Sequence, residues 1–297
     1  MKLKSIFEKP VEFFGKNKKI CIIVGSAIVA VLVILIILLS VAGGNKKKNQ
    51  PYYRVSQANI IVRSDMVNIV TKGGFTKNAP LNTMQALRDA QEAEYYEVQI
   101  DAQRTKDGMW VAFQDETLNK TTDLRGKVSD YTYNELCKAN IDYDYKNEYE
   151  PKYKIPTIEQ VLDFCSMGNM KPYIRILSDG NRKIGKLVSS IEKYGLGTNA
   201  SIISADPKQL IEVQKYSDDV ECWYLMKKIT DENIGIIKAN PSVGAMFDAD
   251  DNGKLMIERL CKTGAKVGCY VVNDIKEFEK IYGYGVSCFI TERILWN

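Results

Sequence analysis

Short apolar runs alternate with longer amphipathic segments from residue 60 to the C-terminus. The short runs are rich in Val, Ile, Tyr and Phe, which is typical of strands, whereas the longer segments repeat apolar residues with helical spacing. The pattern predicts nine strands, at residues 67–71, 95–101, 110–113, 172–177, 200–204, 221–226, 243–247, 266–272 and 287–291. It predicts seven helices, at residues 83–94, 158–167, 181–194, 207–216, 231–239, 253–263 and 275–282.

The regular alternation of strands and helices predicts an α/β fold, namely a (β/α)8 barrel of the TIM type. Nine predicted strands exceed the eight barrel positions by one, so one strand is expected to lie at an edge. Helix starts are also visible in the sequence. Asn82 is expected to cap the first helix, with Gln85 at the capping-box position, and Thr157 and Asp206 begin later helices in the same way.

The N-terminal region has a different composition. An uncharged stretch rich in Ile, Val and Leu begins at Ile20 and ends at Ala42. At ~1.5 Å per residue, a helix of this length crosses a ~30 Å hydrocarbon core. The sequence therefore predicts a single transmembrane helix at residues 20–42, between a basic flank (1–19) and a polar linker (43–59), followed by one domain (60–297). A cleavable signal peptide is the alternative, but the apolar run is too long for one.

Lysines on both sides of this stretch bear on the orientation. Six precede it and three follow it closely, which favours a cytoplasmic N-terminus and a barrel domain outside the cell membrane. The lipid bilayer is thus the one partner that the N-terminal region predicts.

Residues 1–50 carry nine Lys and two Glu, so the rest of the chain is slightly acidic although the whole chain has a net charge of +4. This balance argues against nucleic-acid binding by the domain.

Two residue counts restrict the chemistry. The chain has no histidine, which excludes serine–histidine and cysteine–histidine nucleophile pairs and histidine metal sites. Its seven cysteines form no Cys-x-x-Cys pair and lie at apolar positions. We therefore expect buried thiols rather than a structural zinc site or a disulfide framework.

Short phrases in a fixed order carry a resemblance to a known family. They are Pro80 with Asn82 and Thr83, and residues 105–108, 115–118, 121–122, 126–130, 135–136, 155–159, 204 with 206–207, 272–274, 285–286 and 290–291. In this order they resemble the glycerophosphodiester phosphodiesterase family, which has the TIM barrel of the PLC-like phosphodiesterases. The resemblance implies hydrolysis of a phosphodiester in lipid metabolism, assisted by a divalent cation such as Ca²⁺ or Mg²⁺ and by two histidines.

Most of the residues that perform this chemistry are replaced. The resemblance places the two family histidines at Lys72 and Gln114, and the three carboxylate ligands at Gln99, Asp101 and Arg175. Only Asp101 is retained as a metal ligand. Asp115, beside the second histidine position, and Gly74 are also retained. Further family residues are replaced by Gly73, Leu81, Leu177 and Tyr270.

A hard cation needs several oxygen ligands, usually with more than one carboxylate. Gln99 and Asp101 share a strand face but offer one charge, and Arg175 and Lys72 add positive charge. We therefore expect no catalytic residue, no metal and no cofactor. The leading hypothesis is a catalytically degenerate member that binds an anionic phosphodiester or headgroup. Its candidate ligand-binding residues are Lys72, Gln99, Asp101, Gln114, Arg175 and Tyr270.

Other interpretations stay open at this point. Asp101 could pair with Arg175 or Lys72 and close the site as part of the fold. The chain could also be an active phosphodiesterase with a rebuilt site. A third alternative is a membrane-tethered protein-interaction domain, for which the tyrosine-rich stretch 142–153 offers a contact surface. The sequence names no protein partner and no oligomeric state.

Overall fold

The computed structural model describes residues 52–55, 60–63, 67–76, 79–141, 153–177 and 183–292. The chain divides into two compact units, residues 1–51 and 52–297. The first unit and the candidate membrane span within it lie outside the described residues. No helix of the described part is both long and apolar enough to span a bilayer. A two-stranded antiparallel sheet, β1 (Tyr52–Val55) with β2 (Ile60–Arg63), begins the second unit, and β1 lies in the segment predicted as a linker.

Eight parallel strands close into a barrel. Around the barrel each strand pairs with the next in chain order, and the first pairs with both the second and the last. The barrel strands are β3 (Asn68–Lys72), β4 (Glu97–Arg104), β6 (Lys171–Ile176), β7 (Ser201–Ser204), β8 (Glu221–Met226), β9 (Val243–Asp248), β10 (Val267–Tyr270) and β11 (Cys288–Thr291). The predicted TIM-type barrel is thus confirmed.

The ninth predicted strand lies outside the barrel. It is β5 (Trp110–Ala112), which pairs antiparallel with the end of β4 and forms a hairpin above the barrel. The helices of the described part are α1 (Met84–Glu92), α2 (Tyr133–Leu136), α3 (Ile158–Gly168), α4 (Ile184–Lys193), α5 (Pro207–Gln214), α6 (Asp231–Ala239), α7 (Lys254–Cys261) and α8 (Ile275–Tyr282). The sequence pattern missed α2, because a single helical turn is too short to show a period.

Two apolar cores follow from the alternation of side chains along the strands. Outward-facing residues such as Ile100 and Ile174 pack against the helices in the larger core. Inward-facing residues fill the barrel itself, where Tyr173, Trp223 and Met246 are almost fully buried. A third, smaller core around Leu118 and Leu136 lies under the segment that connects β5 to α3. The barrel interior is therefore packed, which leaves its two ends for polar side chains.

Two predictions about individual residues have different outcomes. Asn82 is not the cap of α1, because it adopts a left-handed conformation (φ 62°) and turns its side chain towards the barrel. Thr83 is the cap, and its hydroxyl accepts a hydrogen bond from the Ala86 amide. The expected buried thiols are largely confirmed, since all six described cysteines are free and four of them are buried.

The N-terminal end of the barrel contains a polar cluster. Glu97, Lys171, Ser201 and Glu221 are the first residues of four neighbouring strands. Lys171 Nζ lies 2.7 Å from Glu221 Oε2, which also accepts a 2.7 Å hydrogen bond from Ser201. Glu97 Oε1 accepts a hydrogen bond from Asn68, whereas Glu97 Oε2 is buried and has no partner among the described residues. Burial raises the pKa of Glu97 from 4.5 to about 8, although the charge of Lys171 opposes this shift.

The raised pKa gives the fold a specific pH dependence. Because folding favours protonated Glu97, the stability that this proton provides is complete below about pH 4.5 and is lost as pH rises to about 8. We expect the unfolding free energy to fall by up to about 1.4 kcal/mol per pH unit in this window, and expect Glu97→Gln to remove that slope. Denaturant titrations across the window measure it. An unchanged slope in the variant would assign the effect to another group.

Candidate functional site

The C-terminal end of the barrel gathers the residues that the sequence singled out. Residues two apart on a strand share a face, so Gln99 and Asp101 both point into the barrel. Asp101 lies opposite Arg175 in the register of β4 and β6, and Lys72 lies opposite Gln99 in the register of β3 and β4. The structure therefore brings four of the predicted site residues together at the seam where the barrel closes.

Asp101 is fully buried and accepts hydrogen bonds from three side chains. Arg175 Nε lies 2.6 Å and Gln99 Nε2 lies 2.7 Å from Oδ1, and Asn82 Nδ2 lies 3.0 Å from Oδ2. The backbone amide of Asp101 in turn donates to Asn82 Oδ1 at 3.0 Å. A buried carboxylate is costly unless it is paired and hydrogen-bonded, and here both conditions hold.

These contacts bear on the cation that the family resemblance implies. Both oxygens of Asp101 are already engaged, and the Arg175 guanidinium lies 2.6 Å from Oδ1. The described part of the chain contains no group of three or more cysteine or acidic side chains placed to hold a metal ion. The residues present therefore do not fit a divalent cation, and Arg175 supplies the positive charge beside Asp101 instead.

Lys72 has a different partner from the one considered in the sequence analysis. Its Nζ atom lies 2.6 Å from Glu292 Oε1, directly after β11. Asn273 holds Glu292 in place, because its Nδ2 donates to Glu292 Oε2 at 3.3 Å and its Oδ1 accepts from the Glu292 amide at 2.8 Å. Lys72 is thus paired with Glu292, which follows the neighbouring strand, and not with Asp101.

Gln114 lies in the loop after β5. Gln103 positions this loop, since its Nε2 donates to the carbonyl oxygens of Phe113 and Asp115 at 2.9 and 2.8 Å. The retained carboxylate of Asp115 accepts from Thr121 at 3.0 Å. Gln114 Oε1 is buried and finds no partner in the described part of the chain. A buried acceptor without a partner is costly, which makes Gln114 a candidate for contact with a ligand.

The loop after β3 is closely packed. Gly73 and Gly74 both have positive φ angles, 67° and 90°. A Cβ atom at residue 73 would lie 2.5 Å from Leu81 Cβ, and one at residue 74 would lie 2.5 Å from the Ala86 backbone. This backbone conformation therefore requires glycine at both positions. By the family resemblance, residues 73 and 81 are the positions of an arginine and a glutamate.

Tyr270 ends β10 on the inner face of the barrel, opposite Asp248 on β9. Burial raises the pKa of its hydroxyl, Asp248 raises it further, and Arg175 lowers it. The hydroxyl therefore stays protonated at neutral pH and is able to donate a hydrogen bond near Arg175. Leu177 lies just beyond the end of β6 and is partly exposed at the rim.

Sequence reasoning missed two residues of this network. Asn82 was assigned to a helix cap, although an Asn before a Thr-capped helix also suits a left-handed conformation. Glu292 follows a strand end by one residue, and the same alternation that placed Lys72 at the mouth places Glu292 there. Neither partner assignment follows from the sequence, because it depends on the register between distant strands.

We expect Asn82→Gly to lower the unfolding free energy by about 1–3 kcal/mol. Glycine tolerates the positive φ, so the loss reports the two hydrogen bonds to Asp101 rather than backbone strain. Glu94→Gly is the matched control, because Glu94 has φ 61° and is exposed. Denaturant unfolding of both variants measures the difference. Equal stability of the two variants would show that Asn82 does not support Asp101.

Comparisons with known proteins agree with this architecture. The sequence model of the glycerophosphoryl diester phosphodiesterase family matches residues 74–295. The glycerophosphodiester phosphodiesterase of Bacillus altitudinis is 26% identical over 233 residues, which cover 76% of this chain and 95% of that protein. The enzyme of the same name from Caldanaerobacter subterraneus is 25% identical over 238 residues, covering 75% and 93%.

Solved structures show the same fold. A phosphodiesterase from Oleispira antarctica, in complex with the product sn-glycerol-3-phosphate, superposes with a TM-score of 0.67 at 19% identity, covering 77% of this chain and 94% of its own. A putative glycerophosphoryl diester phosphodiesterase from Silicibacter pomeroyi gives 0.67 at 16% identity, covering 76% and 90%. The family match spans most of the chain. It includes every barrel strand after β3 and all helices from α1 to α8. The chain therefore belongs to the glycerophosphoryl diester phosphodiesterase family.

Proposed function

We propose that the barrel binds a glycerophosphodiester or a related phosphate ester at its C-terminal end without hydrolysing it through a metal. One observation carries this proposal, namely the ion pair of Arg175 with the buried Asp101 at the position of the family cation. Arg175 can turn the other edge of its guanidinium to a phosphate, but the pair offers no coordination site for a metal-bound nucleophile. The alternatives are an active phosphodiesterase with a rebuilt site and a protein-interaction domain.

The geometry of Arg175 suits a phosphate. Its Nε atom is bound to Asp101, whereas Nη1 and Nη2 make no hydrogen bond within the described part of the chain. The side chain is 17% exposed, so its terminal nitrogens reach the mouth of the barrel. A guanidinium held on one edge by a carboxylate can grip phosphate oxygens with its other edge. The Oleispira structure supports the ligand class, because it holds sn-glycerol-3-phosphate on the same fold.

The residues at the positions of the two family histidines support the absence of hydrolysis. The two family histidine positions hold Lys72, which is paired with Glu292, and Gln114, which has no proton to exchange near neutral pH. A general acid or base typically contributes ~10²–10⁴-fold to a rate. Loss of both groups, together with loss of the cation that assists the family reaction, removes the main contributions to catalysis.

We expect the chain to bind glycerol 3-phosphate and glycerophosphodiesters but to release no alcohol from the diesters, with or without added Ca²⁺ or Mg²⁺. Arg175→Lys should keep a cation beside Asp101 and weaken binding about tenfold, because one ammonium cannot serve both Asp101 and a phosphate. Titration calorimetry measures binding, and an enzyme-coupled alcohol assay measures turnover. A chelator should leave the melting temperature unchanged.

Arg88→Lys is the matched control, since Arg88 is exposed on α1 and the substitution is the same. It should bind as the unaltered chain does. Metal-dependent release of alcohol, lost in Asp101→Asn, would overturn the proposal and establish an active phosphodiesterase. Absence of binding across the ligands would also overturn it, and would leave the ion pair with a structural role.

We also propose that residues 20–42 anchor the chain in the cell membrane, with the barrel on the extracytoplasmic side. The length of this stretch and its lack of charge support the anchor, and the lysine distribution supports the orientation.

We expect the full-length chain to stay with the membrane fraction after an alkaline carbonate wash, and a chain of residues 52–297 to be soluble. Protease added to intact cells should remove the barrel if it lies outside. Release of the full-length chain by carbonate would contradict the anchor, whereas protection of the barrel from protease would contradict only the orientation.

A further inference from the structure

A polar cleft of about 740 Å³ opens beside the barrel mouth. It lies between the β4–β5 hairpin, the loop before α2, Leu177 after β6 and Lys183 before α4. Its volume is in the range of small-molecule sites and far exceeds what one phosphate needs. Gln114 and Leu177 line the cleft, so it continues from the predicted site rather than lying apart from it.

The charges of the cleft differ from those of the mouth. Lys106, Lys127 and Lys183 line it together with Arg104, and among the described lining residues the one acidic side chain is Glu116, which lies 3.4 Å from Lys127. At the mouth, by contrast, Lys72 and Arg175 are each paired with a carboxylate. The cleft therefore has the excess of positive charge that an anion needs, and the mouth does not.

Two features give the cleft a defined shape. Gly108, with φ 81°, leaves space above the hairpin turn for Lys183, since a Cβ atom at residue 108 would lie 1.8 Å from Lys183 Nζ. The Asp107 carbonyl oxygen accepts a 3.3 Å hydrogen bond from the same ammonium. At the inner end, Gln114 presents a buried Oε1 atom that lacks a donor in the described part of the chain. This atom is closed to the cleft as the side chain stands, so a ligand hydroxyl would reach and satisfy it after the Gln114 side chain rotates.

We propose that this basic cleft, lined by Lys106, Lys127, Lys183 and Gln114, binds the second phosphate of a ligand with a polyhydroxyl body. This proposal rests on the proposed function, in which Arg175 holds the first phosphate. The ligand is water-soluble, because among the described lining residues Leu177 is the one large apolar side chain and offers no surface for an acyl chain. The site thus selects a bisphosphorylated polyol over a monophosphate.

Fructose 1,6-bisphosphate and fructose 6-phosphate are suitable probes, because they share the polyhydroxyl body and differ by one phosphate. We expect the full chain to bind the bisphosphate about tenfold more tightly, an advantage that added salt should reduce. Lys106→Gln with Lys127→Gln should abolish this advantage, because it should lower bisphosphate affinity more than monophosphate affinity. Both lysines are exposed, so the fold should tolerate the change.

Lys238→Gln with Lys262→Gln is the matched control. It removes the same net charge from exposed positions at the other end of the barrel, where α6 and α7 lead into the next strands. It should keep the bisphosphate advantage. Gln114→Met should lower the affinity for both sugar phosphates without lowering the melting temperature, because it removes an unsatisfied buried oxygen.

Three results would overturn the proposal that the cleft binds a second phosphate. They are a bisphosphate advantage that survives loss of the two lysines, an equal loss in the control pair, and lysine-dependent binding to phosphatidylglycerol vesicles without binding of either sugar phosphate. The proposed function fails separately, if Arg175→Lys leaves monophosphate affinity unchanged. In that case a lysine-dependent bisphosphate advantage would still support the cleft.

Discussion

A buried carboxylate constrains the rest of this site. Asp101 lies inside a packed barrel, where an unpaired charge is too costly to keep. Its neighbours Gln99, Asn82 and Arg175 all donate hydrogen bonds to it. In the family that this chain resembles, two of those positions hold carboxylates around a cation. The family arrangement thus has several carboxylates around one cation. In this chain one carboxylate, Asp101, is surrounded by hydrogen-bond donors, and the guanidinium of Arg175 is the cation.

This exchange makes the replacements depend on one another. Restoring a glutamate at residue 99 alone would place a second carboxylate against Asp101 and remove a donor from it. Restoring one at residue 175 alone would leave both carboxylates without a counter-charge. A single glutamate substitution at either position is therefore expected to destabilise the fold.

Local patterns predicted the fold, and distant pairings limited the prediction of the site. Alternating apolar runs located all eight barrel strands, because strand burial leaves its period in the sequence. The family resemblance, rather than this period, singled out Lys72, Asp101 and Arg175 as site residues. Which carboxylate pairs with which cation was not predictable, because the partner of Lys72 is Glu292, at the far end of the chain, and closure of the barrel brings them together.

The basic cleft shows the same limit more strongly. Lys106, Lys127 and Lys183 belong to a hairpin turn, a loop and a helix start, and no spacing in the sequence connects them. Surface lysines are ordinary, so each one alone predicts nothing. They become informative only when the fold places them around one cavity beside a mouth whose own charges are cancelled. Since pairing fixes Lys72 and Arg175 in place, net attraction for an anion must come from groups outside the ion pairs.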